Sequence, residues 1–169
     1  MAKAIDLEKY KKSYLEFMET RKGLILSMLD GEGKPFTSCA PFVKKDGKLY
    51  IYISQVAEHY YHMENSEWID AMMIADESTT KNPFATERMR MRCTPKNIGN
   101  AGHDEIFELF NTQFDSKLLD VLRGLDFSLF ELTPSMGRYV VGFGMAFDAN
   151  ISGELFTHVV VDKKNKANV

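Results

Sequence analysis

The sequence contains few cysteines and no long apolar run. Cys39 and Cys93 are its two cysteines among 169 residues, which excludes a disulfide framework and a cysteine-rich metal site. No apolar stretch approaches the roughly 20 residues that a membrane-spanning helix needs, and the charged first residues do not resemble a signal peptide. We therefore expect a soluble, cytoplasmic protein without a membrane partner.

The chain also lacks a strong net charge and the short motifs of common enzyme classes. Its formal charge of −3 gives no overall attraction to nucleic acid. It has no phosphate-binding loop, dinucleotide fingerprint or nucleophile elbow. The four histidines are too far apart in sequence for a metal site that spacing alone would reveal: His59, His62, His103 and His158. Function must therefore depend on residues that the fold brings together.

The length fits a single domain, 1–169, because a chain of 169 residues can bury one substantial core. Apolar residues recur at helical spacing from about residue 6 to residue 22, which predicts an N-terminal helix that ends at Gly23. The last residues, about 162–169, are polar and are expected to form a tail. The ten methionines are interpreted as core filling.

Short apolar runs separated by turn signals predict an antiparallel sheet in the first half of the chain. Asp30–Gly33 and Lys45–Lys48 have the composition of hairpin turns, and a short helix is predicted after Ser54. Because tight turns rather than crossover helices join the early strands, we expect an α+β antiparallel barrel. The predicted strands of this half are 24–29, 35–44, 49–53, 68–75 and 87–94.

The second half is predicted to contain one long late helix and further strands. Apolar residues cover one broad face from Asp104 to Arg123, and Gly124 ends this helix. Thr133–Ser135 is predicted to separate two strands, and Gly142 and Gly144 fall inside the second of them, where glycine usually marks a close backbone approach or a bulge. The two strands, 127–132 and 138–147, bring the expected total to about seven, and 155–161 is a candidate for one more.

Two groups of polar residues are candidates for ligand binding. Ser54 opens a helical turn that carries His59, so its hydroxyl and nearby backbone N–H groups are candidates to bind a phosphate or carboxylate; the alternative is an ordinary helix cap followed by surface histidines. Arg88, Arg90 and Arg92 share one face of a strand. They form either an anion-binding wall suited to phosphate or haem propionates, or a solvated face with acidic partners. Asp126, before a late strand, is a candidate to orient a histidine or polarise a water molecule.

Several segments, in order, resemble the HugZ/HutZ haem-utilisation family, a branch of the pyridoxamine-phosphate-oxidase-like split barrels that bind FMN. No single segment is specific, but the ordered set spans nearly the whole chain. The matching segments are Ala40–Val43, Tyr50–Ser54, Ala57–His59, Ala71–Glu77, Phe84–Arg88, Asp126–Phe130 and Gly142–Phe147.

The resemblance implies a homodimer of split barrels with a cofactor cleft at the subunit interface. Members bind haem for iron acquisition, and several degrade it with iron release, using O2 or peroxide and an electron donor. Asp126 stands where a family aspartate supports the proximal side of the haem. The family's ligand histidine in the C-terminal tail is matched here by Lys163 or Lys164, so His158, the only histidine of the tail, is the candidate iron ligand.

The resemblance also leaves FMN as an alternative cofactor. Flavin-binding relatives hold the FMN phosphate with an arginine in the second strand and a lysine after the third, and these positions are Ser38 and His59 here. Serine cannot replace a bidentate guanidinium, so Ser54, His59 and Arg88 are left as a weaker phosphate site. Three functions therefore stay open: a haem-binding and possibly haem-degrading protein, an FMN-dependent oxidoreductase, and a carrier without enzymatic activity.

Overall fold

A computed structural model describes residues 5–160, which form four α-helices, eight β-strands and two single 3₁₀ turns. The helices are α1 (Leu7–Thr20), α2 (Glu58–Glu64), α3 (Asp104–Gln113) and α4 (Ser116–Arg123). The strands are β1 (Gly23–Leu29), β2 (Pro35–Lys45), β3 (Lys48–Ser54), β4 (Ile69–Ile74), β5 (Arg88–Asn97), β6 (Phe127–Val140), β7 (Ala146–Ala149) and β8 (Phe156–His158). The 3₁₀ turns, Glu77–Thr79 and Pro83–Ala85, lie between β4 and β5.

The strands form a closed antiparallel barrel with a side extension. The order is β3-β2-β1-β4-β5-β6, and pairing of β3 with the first half of β6 closes the ring. The second half of β6 leaves that ring and pairs with β7, which in turn pairs with β8. The result is an α+β split barrel, as expected from the sequence.

Apolar residues pack in two layers, one inside the barrel and one outside it. The inner cluster includes Leu26, Met91 and Phe130 from the strands, and α1 covers it with Tyr14, which is fully buried. The outer cluster forms where α3 and α4 pack on β2, β3 and β6; Tyr52 meets Phe107 there with ring centroids 5.2 Å apart. Each large side chain buried in these layers contributes about 1.5–3 kcal/mol through the hydrophobic effect.

The prediction of one long late helix is wrong, because Phe114 and Asp115 divide it into α3 and α4. Phe114 adopts an extended conformation. The Asp115 side chain then accepts a hydrogen bond from the Lys117 backbone N–H at 2.9 Å and so caps α4. Aspartate favours such caps because its carboxylate bonds backbone N–H groups that a helix start leaves free. The apolar face stays continuous across the break, which is why periodicity alone missed it.

The predicted break at Thr133–Ser135 is also wrong, because β6 runs through it. Pro134 has no N–H to donate, and it lies opposite Cys93, where the register between β5 and β6 shifts. A bulge of this kind lets a strand carry one extra residue without ending. Gly142 and Gly144 lie in the turn between β6 and β7, not inside a strand, with φ of +149° and +69°.

Candidate functional site

Asp126 and Ser54 form a hydrogen-bonded pair at one end of the barrel. The antiparallel register pairs Ser54, the last residue of β3, with Phe127 at the start of β6, which brings Asp126 beside it. The Ser54 hydroxyl lies 3.0 and 3.2 Å from the two carboxylate oxygens of Asp126, and the Val56 backbone N–H donates to Oδ2 at 3.3 Å. The carboxylate of Asp126 is therefore held in a fixed orientation at an exposed position.

Ser38 and His59 also meet at this end. Ser38 lies in β2, and His59 lies in α2, which covers the end of the barrel; Ser38 Oγ is 2.5 Å from Nδ1 of His59. Burial lowers the pKa of His59 below its ordinary value, because desolvation disfavours the charged imidazolium. The two residues at the expected flavin-phosphate positions thus bond each other and present a neutral pair rather than a cationic cradle.

The three arginines of β5 share one outer face of the barrel, as predicted, and two of them have an acidic partner. Asp70 of β4 lies opposite Arg92 in the register. Its carboxylate accepts from Arg90 Nη1 at 3.0 Å and from Arg92 Nε at 3.1 Å. Arg88 Nη1 donates instead to the Thr86 carbonyl oxygen at 2.9 Å. The alternative of a solvated face with acidic partners therefore describes Arg90 and Arg92.

His158 lies in the terminal strand of the extension. Its Nε2 is 3.4 Å from the Gly144 carbonyl oxygen, and its ring centroid is 5.4 Å from that of Phe147. Val160 follows His158 by two residues along the chain, and Phe143 precedes Gly144 in the β6–β7 turn; both side chains are exposed. A half-exposed imidazole with one long hydrogen bond has a nitrogen available to a ligand. Lys163 and Lys164, the other positions considered for the ligand, lie outside the described residues.

The candidates fall into two groups at opposite ends of β6. In the sheet, Ser54 lies opposite Phe127 at the start of β6. His158 lies opposite Phe147 of β7, which in turn lies opposite Tyr139 near the end of β6. Twelve residues of β6 separate Phe127 from Tyr139, a contour of about 40 Å at the usual rise of a strand. Arg88, opposite Val140, lies at the His158 end. Within residues 5–160, the Arg88 guanidinium donates to the Thr86 carbonyl oxygen and makes no hydrogen bond to Ser54 or His59.

Sequence reasoning missed the partners of the charged side chains. Asp70, Asp148 and Glu87 were not selected. Asp148 accepts from Arg138 Nε at 2.7 Å, and Glu87 accepts a hydrogen bond from the Tyr139 hydroxyl. Burial and Glu87 together raise the pKa of Tyr139, which keeps the phenol neutral. Opposite charges on neighbouring predicted strands could have indicated these ion pairs. The register that decides which charges meet, however, depends on the tertiary structure.

Two further observations concern metal ions and membranes. Among residues 5–160, no three His, Cys, Asp or Glu side chains come together in a way that could hold a metal ion. None of the helices in this range has the length and apolar content needed to cross a membrane.

No protein-family model matches the chain. The sequence is similar to heme oxygenase HutZ of Vibrio cholerae, with 32% identity over 143 residues, which are 82% of this chain and 79% of HutZ. The solved structure of HutZ, described as a heme storage protein, superposes with a TM-score of 0.72 at 29% identity and covers 82% of this chain and 99% of its own.

The structure of Campylobacter jejuni ChuZ superposes with a TM-score of 0.82 at 31% identity over 92% of this chain. The chain spans only 64% of the length of ChuZ. A putative pyridoxamine 5'-phosphate oxidase from Listeria innocua, with a TM-score of 0.55 over 77% of this chain and 97% of its own, shares the fold at 12% identity. The split-barrel fold is thus common to haem proteins and to oxidase-like proteins.

Proposed function

Because this chain belongs to the HutZ family of haem proteins, we propose that it binds haem and serves iron acquisition in the cytoplasm. The observation that carries the proposal is the sequence similarity to HutZ over most of both chains. His158 supports it from the structure, because it combines an available imidazole nitrogen with exposed apolar neighbours. Both features would suit haem, whose iron would be held by a histidine nitrogen and whose macrocycle is apolar.

We further propose that the haem site is composite and forms in a homodimer. Asp126 precedes β6, whereas His158 lies beside its far half, and the strand between Phe127 and Tyr139 has a contour of up to about 40 Å; on this ground we assign the two residues of one chain to different haem sites. A two-fold dimer with antiparallel barrels solves this, because the Asp126 end of one chain then meets the His158 end of its partner. Two equivalent sites follow, each with Asp126 from one chain and His158 from the other.

Each residue has a defined role in this site. His158 would hold the haem iron through one ring nitrogen, and Asp126 would accept a hydrogen bond from the N–H of the other, which would orient the ring. Ser54 and the Val56 N–H hold the carboxylate in place. Arg88 has guanidinium N–H groups to offer a haem propionate. When bound, haem would supply iron chemistry with O2 or peroxide. With an electron donor the protein would degrade haem, and without one it would carry haem unchanged.

The FMN alternative has less support. A flavin phosphate needs cationic donors, and Ser38 and His59 at the corresponding positions bond each other at 2.5 Å. The lowered pKa of His59 reduces its positive charge near neutral pH. We therefore expect FMN to bind weakly if at all, and purified protein to be free of the yellow colour of flavin.

Haem titration followed by absorbance tests the proposal. We expect a saturable Soret shift at one haem per chain. The His158→Ala variant should have a different spectrum and at least tenfold weaker binding, because loss of a residue that only supports a metal ligand already costs 10–100-fold. His103→Ala is the matched control and should leave the spectrum unchanged. Absence of any saturable shift in the wild type contradicts the proposed function.

Mixing two inactive variants tests the composite site. Asp126→Asn and His158→Ala chains, each defective alone, should regain about a quarter of the wild-type sites when unfolded and refolded together, because half of the randomly formed dimers contain one intact site. A site built within one chain predicts no recovery. Haem spectra and sedimentation of the mixture measure both outcomes.

A further inference from the structure

A cluster of aromatic side chains packs between α1 and the side extension of the sheet. Tyr139 of β6, Phe147 of β7 and Tyr14 of α1 are fully buried in it. The ring centroid of Tyr139 lies 6.2 Å from that of Phe147 and 5.1 Å from that of Tyr14. The other members of this aromatic cluster are Tyr10, Phe17 and Phe156. Its rings are therefore in continuous contact through the interior of the chain.

The aromatic cluster reaches the surface at His158, the candidate iron ligand. The imidazole of His158 packs edge-on against Phe147 with ring centroids 5.4 Å apart, and Phe147 packs in turn on Tyr139. A single ring therefore separates the imidazole from the Tyr139 phenol. Packed protein interiors leave few gaps between side chains, and an electron tunnels more readily across packed atoms than across empty space. Phe147 gives an electron a direct route between Tyr139 and His158.

Tyr139 differs from Tyr14 in the group that accepts its hydrogen bond. The Tyr139 hydroxyl donates to the Glu87 carboxylate, whereas the Tyr14 hydroxyl donates to the Asn150 carbonyl oxygen at 2.9 Å. A carboxylate can take up a proton near neutral pH, and a backbone carbonyl cannot. Because a phenol is a much weaker acid than a carboxylic acid, the proton stays on Tyr139 until the phenol loses an electron.

Tyr50 is the other tyrosine whose hydroxyl donates to a carboxylate within residues 5–160. Its acceptor is Glu131, at 3.3 Å, and that carboxylate also accepts from Lys48 Nζ at 2.6 Å. Tyr50 belongs to the outer apolar layer beneath α3 and α4, not to the aromatic cluster. Tyr139 is thus the tyrosine that combines a carboxylate partner with ring contacts leading to His158.

We propose that Tyr139 is a redox-active tyrosine, with Glu87 as its proton acceptor and Phe147 as its contact toward a haem held at His158. Oxidation breaks the phenolic O–H bond of Tyr139: the proton passes to a carboxylate oxygen of Glu87, and the electron passes across Phe147 to His158. A neutral tyrosyl radical and a protonated Glu87 remain.

Hydrogen peroxide is the oxidant in this proposal. It takes up two electrons and two protons to become two water molecules, and Tyr139 returns one of those two electrons to the haem site. The buried pair then stores one oxidising equivalent when peroxide arrives before the electron donor. The link to haem rests on the proposed function, whereas the pairing of Tyr139 with Glu87 does not.

A photo-oxidant attached at position 158 tests Tyr139 without haem. The labelled chain carries His158→Cys together with Cys39→Ser, which removes the exposed cysteine, while Cys93 is buried. A ruthenium bipyridine label on this chain, oxidised by a light flash, should produce a tyrosyl radical in the electron paramagnetic resonance spectrum. The same label at Asp120→Cys on α4, outside the aromatic cluster, should not produce a radical at Tyr139.

Three further substitutions in the labelled chain identify the radical. Tyr139→Phe should abolish it. Tyr14→Phe is the matched control, because it also removes a buried hydroxyl from the same cluster, and it should leave the radical in place. Glu87→Gln should slow formation of the radical at least tenfold, because a positioned proton acceptor typically contributes about 100-fold or more to the rate.

Peroxide added to the haem-loaded wild type without an electron donor tests the link to haem, and it should produce the same radical. A Soret titration of these samples separates the two proposals. If no Soret shift occurs, the haem function is contradicted, while the labelled chain still tests Tyr139. A Soret shift without a radical after peroxide overturns the link from haem to Tyr139.

Several results with the labelled chain would overturn the proposal. One is the absence of a tyrosyl radical when Tyr139 is intact, and another is the same radical in Tyr139→Phe. Equal loss of the radical in Tyr14→Phe shows that the Tyr139 hydroxyl is not the specific site. If Tyr139→Phe does not fold, Glu87→Gln decides the matter, since an unchanged rate of radical formation excludes Glu87 as the proton acceptor.

Discussion

The two ends of β6 differ in how firmly their polar groups are held. At the first end, Asp126 accepts hydrogen bonds from the Ser54 hydroxyl and the Val56 N–H, and Ser38 contacts His59. At the second end, the His158 side chain makes one hydrogen bond within residues 5–160, of 3.4 Å to the Gly144 carbonyl oxygen, and packs edge-on against Phe147. The first end lies within the closed barrel, whereas the second lies in the extension formed by β7 and β8.

This difference indicates a division of roles. A carboxylate that is fixed by two donors is suited to orient a partner group, because its own geometry does not change when that group arrives. An imidazole with few contacts is suited to bind iron, because it gives up little when it exchanges a weak hydrogen bond for a metal bond. The four predictions below test whether the ends are independent.

The largest effect is expected for Phe147→Ala at the second end. Phe147 is fully buried and packs on Tyr139 and, with centroids 4.7 Å apart, on Phe156. Removal of a buried phenyl ring costs about 3 to 5 kcal/mol of unfolding free energy, and haem affinity should fall with it. Urea unfolding measures the loss. Phe143→Ala, whose ring is 71% exposed, is the control and should change stability by less than about 0.5 kcal/mol.

A smaller effect at the same end is expected for Gly144→Ala. Gly144 has φ of +69°, where an L-residue is strained by about 1 to 2 kcal/mol, although nothing crowds the added methyl group. The turn should become more mobile, and the absorbance bands of haem bound at His158 should broaden. Gly31→Ala, in a hairpin turn without positive φ and also uncrowded, is the matched control. Equal losses for the two variants would contradict the role of backbone strain.

Asp115→Ala tests the helices that pack beside the first end. Loss of this cap should cost about 1 kcal/mol, because the Lys117 N–H loses its partner. The haem spectrum should not change, since α3 and α4 cover the outer apolar layer rather than the His158 end. Asp120→Ala, in the middle of α4, serves as the control, with no loss expected. A changed spectrum in Asp115→Ala means that the two ends are coupled.

The smallest effect is a pH dependence that originates at His59. Burial lowers the pKa of His59 in the folded state below the ordinary 6.5, so the unfolded chain binds this proton more readily. The contribution of His59 to the free energy of unfolding is therefore fully present above pH 6.5, and it is lost as the pH falls through the pKa of His59 in the folded state. The urea midpoints of the wild type and His59→Gln at pH 7 and pH 5 measure it. Between pH 7 and pH 5, the urea midpoint of the wild type should fall more than that of His59→Gln. An equal fall in both proteins excludes His59 as the origin of the pH dependence.

The early strands were predictable because they are local. Tight turns at Asp30–Gly33 and Lys45–Lys48 fix consecutive pairing, and β1 to β3 lie within two residues of their predicted bounds. The late region was harder. Asp115 breaks a helix whose apolar face is continuous, and Pro134 fits into β6 at a register shift in its pairing with β5. Both depend on side-chain hydrogen bonds or strand neighbours that a linear pattern does not contain.

The candidate site divides in the same way. The sequence pattern selected Ser54, His59 and Asp126, and the family resemblance added Ser38. The pattern also predicted that the three arginines of β5 share a face, because side chains in a strand alternate with period two. Only the tertiary structure decided which charges meet. Asp70 lies between two arginines, Asp126 lies just before β6, and His158 lies in β8, beside the other end of β6. Periodicity is a property of the chain itself, whereas register and strand order depend on the closure of the whole barrel.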